Sequence, residues 1–423
     1  MQYTESLTEL ARSILRDAQE IDDFITSHGH SPPSFSIDGP TTFPASLDAT
    51  RHHLIDATKQ LRDLVIGPKD TIKWMIMNDH TLAASLHAIS HFKVPQAVPL
   101  HGSISFSALA AAVGLPEVDV GRFVRRTAIN HIFVESSPGY VSHTAASALI
   151  ATDPQMQALV AHMSEEAFPA SAKVVEALEK CPGSGEPGDS PFTLAFGSSF
   201  FERKAAQPET LQRFGLAMSS WSEGDGTQQM RNGYDWGSLP AGAKIVDVGG
   251  AAGHISLAIA ENFPGLEFVI EDQSPLAGQA EKLIASAPKS VAERVKFLPH
   301  DFFQPQPVTT QGADLYIMRY ILHDWSDYYA KKILHQIFGA MKKDSKLIIA
   351  DAVMPPAGFL PRCQEEVLRS FDISMLAQLN SQERTLSMWE QLINEAGGGI
   401  WKILNITNPP KGESVTILEI GAA

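Results

Sequence analysis

Cysteine is scarce in this chain, with Cys181 and Cys363 the only two among 423 residues. That excludes a disulfide framework and makes a reducing compartment, the cytoplasm, the expected location. Long apolar runs are missing too. No stretch reaches bilayer-spanning length, and the opening Met1-Gln2-Tyr3-Thr4-Glu5-Ser6-Leu7 lacks the basic and apolar regions of a secretory signal, so no membrane partner is expected. Basic charge is in short supply, with 33 Lys and Arg against 48 Asp and Glu and a net charge of −15. Such a balance disfavours nucleic acid as a partner. No internal repeat is found. What the chain does have is a hydrophobic fraction of 44%, ample for a core, and a length that calls for two or more domains.

Breakers mark the organisation. Residues 5–26 carry apolar side chains at helical spacing, Ser27 to Ser46 is a linker rich in Pro, Ser, Gly and His, and Leu47 to Ile66 is again helical. These two stripes are expected to build a homodimer interface. Ser105–Val113, Pro116–Asn130 and the strand pair around Pro138-Gly139 spell helix, helix and two-stranded wing. A winged helix raises a DNA-binding reading, for which Arg122, Arg125 and Arg126 speak. Glu117 and Asp119 on the same helix speak against it. Cys181 to Pro191 reads as an exposed loop. The expected division is 1–165, a helical and winged-helix domain, and 166–423, a cofactor-binding domain.

The second half opens with an apolar strand, Ala243-Lys244-Ile245-Val246, running into Asp247-Val248-Gly249-Gly250-Ala251-Ala252-Gly253 and then a helical segment from His254. A strand that ends in glycines and turns into a helix brings bare backbone N–H groups against a ligand. Val248 breaks the dinucleotide spacing. The loop instead resembles the Asp-x-Gly-Gly-x-x-Gly turn of methyltransferases that bind S-adenosylmethionine. Val269-Ile270-Glu271-Asp272 places an acid about 20 residues on, where such folds set a carboxylate against ribose hydroxyls. A third strand stops at His300-Asp301-Phe302-Phe303, which offers Asp301 to an adenine amino group and Phe302 as a stacking face. A fourth, Asp314 to Met318, leads into Arg319-Tyr320-Ile321-Leu322-His323-Asp324-Trp325-Ser326-Asp327. Strands alternating with helices at this rhythm predict an α/β, Rossmann-like doubly wound sheet.

Leu322-His323-Asp324-Trp325-Ser326-Asp327, with Asp-Val-Gly-Gly upstream and Gln382-Glu383-Arg384-Thr385 downstream, resembles the plant-type and fungal small-molecule O-methyltransferase family from about Leu82 onward. The resemblance implies a homodimer, S-adenosylmethionine as cofactor, His323 as general base flanked by Asp351 and Glu383, and Arg319 bordering the cofactor beside Asp247, Gly249, Gly250, Gly253, Asp272, Asp301 and Phe302. It implies methylation of a hydroxyl on an aromatic or polyketide-like small molecule of secondary metabolism. Two departures stand out: Ala251 replaces a common third glycine, and Asp351 replaces a frequent Glu, which shortens its reach to His323.

The chemistry is consistent with that assignment. Displacement at a sulfonium methyl needs a positioned oxygen nucleophile, and a phenol with pKa about 10 must lose its proton as it attacks. Neutral imidazole with an ordinary pKa near 6.5 accepts it, and a carboxylate on the other ring nitrogen fixes the tautomer. No metal is expected, since helix capping accounts for Asp324 and Asp327 near His323, and His300 and Asp301 supply no dense carboxylate cluster. A rival on the same fold is a ring-forming pericyclic catalyst that keeps the cofactor, for which His131 is the available side chain. Phe192, Phe196, Phe200, Phe201, Phe214, Met218 and Trp221, with Phe371, Met375 and Leu379, suit the pocket of a flat substrate or plain core packing.

Overall fold

The computed structural model describes residues 6–222, 225–408 and 415–422. The chain divides into two compact units. One comprises Met1–Lys173, Phe200–Trp221 and Pro361–Glu366; the other comprises Val174–Ser199, Ser222–Leu360 and Val367–Ala423.

The first unit starts with helix Leu7–His28, set by a capping box in which Ser6 Oγ accepts from the Glu9 N–H at 3.2 Å and Glu9 Oε2 from the Ser6 N–H at 2.8 Å. Gly29 ends it at φ 68°, a left-handed conformation that glycine adopts without a Cβ penalty. Its Ile21 and Ile25 pack with Leu47 at the head of helix Asp48–Ile66. A third helix, Pro68–His91, follows at once. Its apolar Ile72 and Trp74–Met77 crowd together without helical period, so the sequence does not mark it as an amphipathic element.

The wing module then forms as expected. Strands β1 (Ile104–Ser105), β2 (Val134–Ser137) and β3 (Tyr140–Ser142) make a sheet in the order β1-β3-β2. Helices Phe106–Val113 and Glu117–Ala128 close a core of Ile89, Leu109, Val120, Val124, Phe133 and Val141.

The second unit is the doubly wound sheet. Its strands are β4 (Lys244–Val248), β5 (Glu267–Asp272), β6 (Val295–Pro299), β7 (Leu315–Arg319), β8 (Lys346–Met354), β9 (Arg384–Thr385), β10 (Trp401–Thr407) and β11 (Val415–Ala422). The spatial order is β10-β11-β8-β7-β4-β5-β6, and the short β9 adds to the end of β8. Pairings from β8 through β6 are parallel, and β11 joins β8 and β10 antiparallel.

Alternating side chains fill both faces. Val246, Tyr316, Met318, Leu347 and Ile349 meet Ile333, Leu334, Trp389 and Ile393 on one side. Ile245, Leu315, Ile317, Phe268 and Ile270 meet Ile259, Ala260 and Trp236 on the other. The chain's winding reverses between β4 and β7, and in such sheets the crevice outside the carboxyl ends of those two strands is where ligands bind. The glycine loop leaves β4 there, and the segment Arg319–His323 leaves β7.

Candidate active site

Gly249 and Gly253 stand at φ 75° and 89°, where an L side chain is strained, and three of the loop glycines are crowded by side chains. A Cβ on Gly249 would stand 2.4 Å from Ile321 Cδ1, one on Gly250 2.6 Å from the Asp247 carboxylate, and one on Gly253 2.2 Å from Ile270 Cδ1. Asp247 is buried beneath the loop, where Ser256 Oγ donates to Oδ2 at 2.6 Å. Burial pushes its pKa up to about 6 against that bond. Asp247 therefore braces the loop from below. Asp272, at the end of β5, accepts the Ala251 N–H at 2.8 Å and the Gln273 N–H at 2.7 Å, tying the loop to the next strand. Ala251, the departure noted above, sits at φ 49° in the left-handed region, where an L side chain is strained. Phe302 reaches the glycines, its ring edge 3.9 Å from the Cβ position of Gly249. Asp301 is exposed and accepts the Phe303 N–H at 3.0 Å.

From β7 the chain passes Arg319, whose guanidinium lies 4.5 Å over the Tyr320 ring, and enters the turn Leu322–Asp324. Tyr320 has φ 53°, a conformation that costs a non-glycine residue and persists where surrounding structure imposes it. Here its N–H is fixed to Ala350 O at 3.1 Å.

The turn presents His323, mostly buried, with Nδ1 2.9 Å from Glu383 Oε1 and Nε2 3.4 Å from Asp324 Oδ1. Glu383 is held by its own N–H, which donates to Asp372 Oδ1 at 2.9 Å, and Ser381 Oγ donates to the His323 carbonyl at 2.5 Å. Arg384, fully buried, donates to Leu322 O and Trp325 O at 2.7 Å each and from Nε to Asp327 Oδ1 at 2.9 Å. The guanidinium fork thus clamps both ends of the His323 turn. The segment 181–190 lies outside it, with Asn380 Nδ2 donating to Ser184 O and Glu186 O at 2.8 and 2.9 Å. That loop, expected to be exposed, is fastened at these points.

Asp351 reaches the cluster by charge and not by contact. It is buried on β8, and neither carboxylate oxygen has a hydrogen-bond partner among the described residues. Burial raises its pKa to about 7 in spite of the attraction of His323. Asp324 behaves alike, raised to about 6 chiefly by burial.

For His323, burial works to lower the pKa, but the charge of Asp324, the Glu383 hydrogen bond and the charges of Asp351 and Glu383 outweigh it and lift it to about 10. The three acids around the ring thus favour its protonated form, against the neutral imidazole of the sequence argument. The geometry also corrects the reading of Asp324 as a helix cap. Ser326 occupies the N-cap of helix Asp327–Ala340, while Asp324 faces the imidazole.

Arg319 Nε, His300 Nε2, Glu383 Oε2 and both Asp351 oxygens are buried without a partner among the described residues. His300 follows β6, Arg319 ends β7 and Asp351 lies in the second half of β8, so these polar groups stand toward the carboxyl ends of the sheet, where the glycine turn leaves β4. A cleft of about 860 Å³ lined by Tyr234, Asp314, Lys342, Lys346 and Glu419 lies instead at the amino ends of β7 and β8 and holds none of these residues.

The model of an O-methyltransferase domain matches residues 179–398, just over half of the chain. The chain is 32% identical to O-methyltransferase aurJ of Gibberella zeae over 98% of its own length and 97% of that protein's. The chain belongs to the O-methyltransferase family. It is also 33% identical to a chlorophenol O-methyltransferase of Trichoderma longibrachiatum, over 90% of this chain and 82% of that one. The likeness spans more than the stretch from Leu82 expected from motifs. Among solved structures, one described as a pericyclic reaction enzyme shares the fold, with TM-score 0.73 and 23% identity over 97% of this chain and 100% of that one. This O-methyltransferase is dependent on S-adenosylmethionine. Among the described residues no helix is long and apolar enough to cross a membrane.

The aromatic residues expected to line a pocket are divided between the units. Phe200, Phe201, Phe214 and Met218 belong to the first, and Phe192, Phe196, Phe371, Met375 and Leu379 to the second. The Trp221 side chain lies outside the described residues. His131 stands at φ 59° with its ring stacked 3.7 Å from Phe35 and its carbonyl accepting from Thr144 Oγ1, which accounts for it structurally.

Proposed function

We propose that His323 is the general base of methyl transfer to the hydroxyl of an aromatic or polyketide-like acceptor. The observation that carries this is the cluster itself: an imidazole at the β7 switch point with Glu383 on Nδ1 and two further acids around it. Glu383 orients the ring and stabilises the imidazolium formed when Nε2 takes the acceptor's proton. Asp351 and Asp324 act on the ring through charge. S-adenosylmethionine supplies the activated methyl on a sulfonium. To act as base the ring must first give its Nε2 proton to solvent, keeping Nδ1–H on Glu383, and Nε2 is then free to take the acceptor's proton. Asp247, Gly249, Gly250 and Gly253 shape the loop for the cofactor, Asp272 and Asp301 offer acceptors to its ribose and adenine, Phe302 a stacking face, and Arg319 a positive border. Incubating the purified chain with labelled cofactor and a panel of phenols, then weighing the products, tests acceptor class. A gain of one methyl on a phenolic hydroxyl supports it, and turnover without consumption of cofactor supports the pericyclic reading that the shared fold keeps open.

The chain works, in this reading, as a cytoplasmic homodimer built by the region before about 165, with 166–423 as the catalytic domain. Helix Pro68–His91 supports that: Ile72, Trp74, Met75, Ile76 and Met77 are 46–66% exposed along one segment, an apolar surface that a second copy would cover. The arginines of the winged helix are already engaged. Arg125 forks onto Glu135 at 2.8 and 3.0 Å, Arg126 donates to Asn78 O at 2.7 Å and Arg122 to Asp119 at 3.1 Å. Side chains so held form no row for reading phosphates, and the module serves assembly rather than DNA.

A further inference from the structure

His87 and His91 stand one turn apart at the end of helix Pro68–His91, and the five-residue π-helical turn Met163–Ala167 brings Glu165 against them. One ligand atom from each side chain lies within 4.8 Å of the other two. His91 Nδ1 is 3.7 Å from Glu165 Oε1, close to the roughly 3.4 Å edge that ligands at about 2.1 Å form around a tetrahedral ion.

The π-turn explains how adjacent glutamates serve different places. Glu166 points inward, where Lys204 Nζ donates to it at 2.7 and 2.6 Å and His162 Nδ1 lies 2.8 Å away. Glu165 turns outward to the helix. Arg213 Nη1 donates to Glu165 Oε2 at 2.5 Å, which leaves Oε1 on the His91 side and fixes the carboxylate's orientation. That is the part an outer hydrogen-bond partner plays for a metal-binding carboxylate. Single turns of π-helix recur at functional sites, and nothing in methyl transfer uses this one.

We propose that His87, His91 and Glu165 bind a zinc ion, with the fourth position open to water. Two imidazoles and one carboxylate are a donor set for zinc and not for magnesium or calcium, which want six or more oxygens. His87 is half-buried and His91 exposed, so the site is reachable from solvent. The ion joins helix Pro68–His91 to a turn far along the sequence and stabilises the folded first unit, because the unfolded chain does not preform the site. None of its three ligands is among the residues proposed for methyl transfer.

The test uses the full chain with any affinity tag removed and bound metal stripped by a chelator. Zinc is then titrated by calorimetry, cobalt by visible absorption, and melting followed with and without zinc. Expected are one zinc per chain, cobalt bands of tetrahedral intensity and a higher melting temperature with zinc. His87→Ala and His91→Ala should each weaken zinc about tenfold or more and cancel the rise in melting temperature, as should Glu165→Gln. The two histidine variants leave the Arg213–Glu165 pair in place, so their metal-free melting should match the native chain's. Zinc binding unchanged in the His87→Ala/His91→Ala double variant, or a native chain that takes up no zinc, overturns the proposal.

Discussion

Glu383 Oε1 lies 2.9 Å from His323 Nδ1 although 60 residues separate the two in sequence. The contact is assembled by the sheet. His323 hangs from the end of β7, Glu383 precedes β9, and β9 pairs with the end of β8 next to β7. Arg384, the next residue, reaches back to the turn that carries His323.

That clamp yields a first expectation. Arg384→Lys keeps a charge but cannot span Leu322 O, Trp325 O and Asp327 with one planar fork. Two or three buried hydrogen bonds are lost, so stability should fall by about 2–4 kcal/mol and the His323 turn should lose its fixed position. Denaturation midpoints check the first, and a kcat that falls more than cofactor affinity checks the second. A variant of native stability and kcat would show that the clamp is dispensable.

Asp351 gives a pH-dependent one. Its folded pKa, about 7 against an ordinary 3.8, means the folded state holds a proton that the unfolded chain has released, so stability attributable to this group falls between about pH 4 and 7. Asp351→Asn removes that loss. The variant should therefore gain stability relative to the native chain, by about 1–3 kcal/mol at pH 8 and by less at pH 5.5, as read by urea denaturation. Removing one of the acids that lift His323 also lowers the ring's pKa, so the rise of rate with pH should begin lower in the variant. In the native chain the rise should extend well above the ordinary histidine range, with apparent values that belong to the coupled cluster. Equal stability gains at both pH values would remove Asp351 from this account.

The glycine loop is testable without turnover. Gly253→Ala forces a methyl to 2.2 Å from Ile270 Cδ1 at φ 89°, and Asp272→Ala releases the Ala251 N–H. Calorimetry with S-adenosylmethionine or its demethylated product should show about tenfold or greater weakening in each, the worth of one charge-assisted hydrogen bond or more. Native affinity in both variants would place the cofactor elsewhere.

For assembly, light scattering at micromolar concentration should give twice the 45.9 kDa of one chain. Replacing Ile76 and Met77 by Glu buries charge in the expected interface and should yield monomers of reduced stability. A native monomer contradicts the dimer.

Much of the catalytic half could be read from sequence because its signals are local. A strand ending in glycines, an acid about 20 residues on, and a His-Asp-Trp turn each announce themselves within a few residues. Asp324 was misread because a polar residue ahead of a helix has the pattern of a cap. Only the fold turns it toward Nε2 of His323. The raised pKa of that ring was hidden for the same reason, since it comes from acids on three separate segments. Nor does sequence mark Tyr320 for positive φ or bury Arg384, both imposed by neighbours that folding brings together. Helix Pro68–His91 has no amphipathic signature in the sequence because Ile72 and Trp74 to Met77, all exposed, lack helical period.

The role of His323 is tested most directly by single-turnover methyl transfer to a phenolic acceptor with His323→Ala, alongside cofactor affinity by calorimetry. If the ring is the base, transfer should drop by roughly 10²–10⁴-fold while cofactor affinity stays near native. Transfer at the native rate by a variant that binds cofactor normally would contradict it.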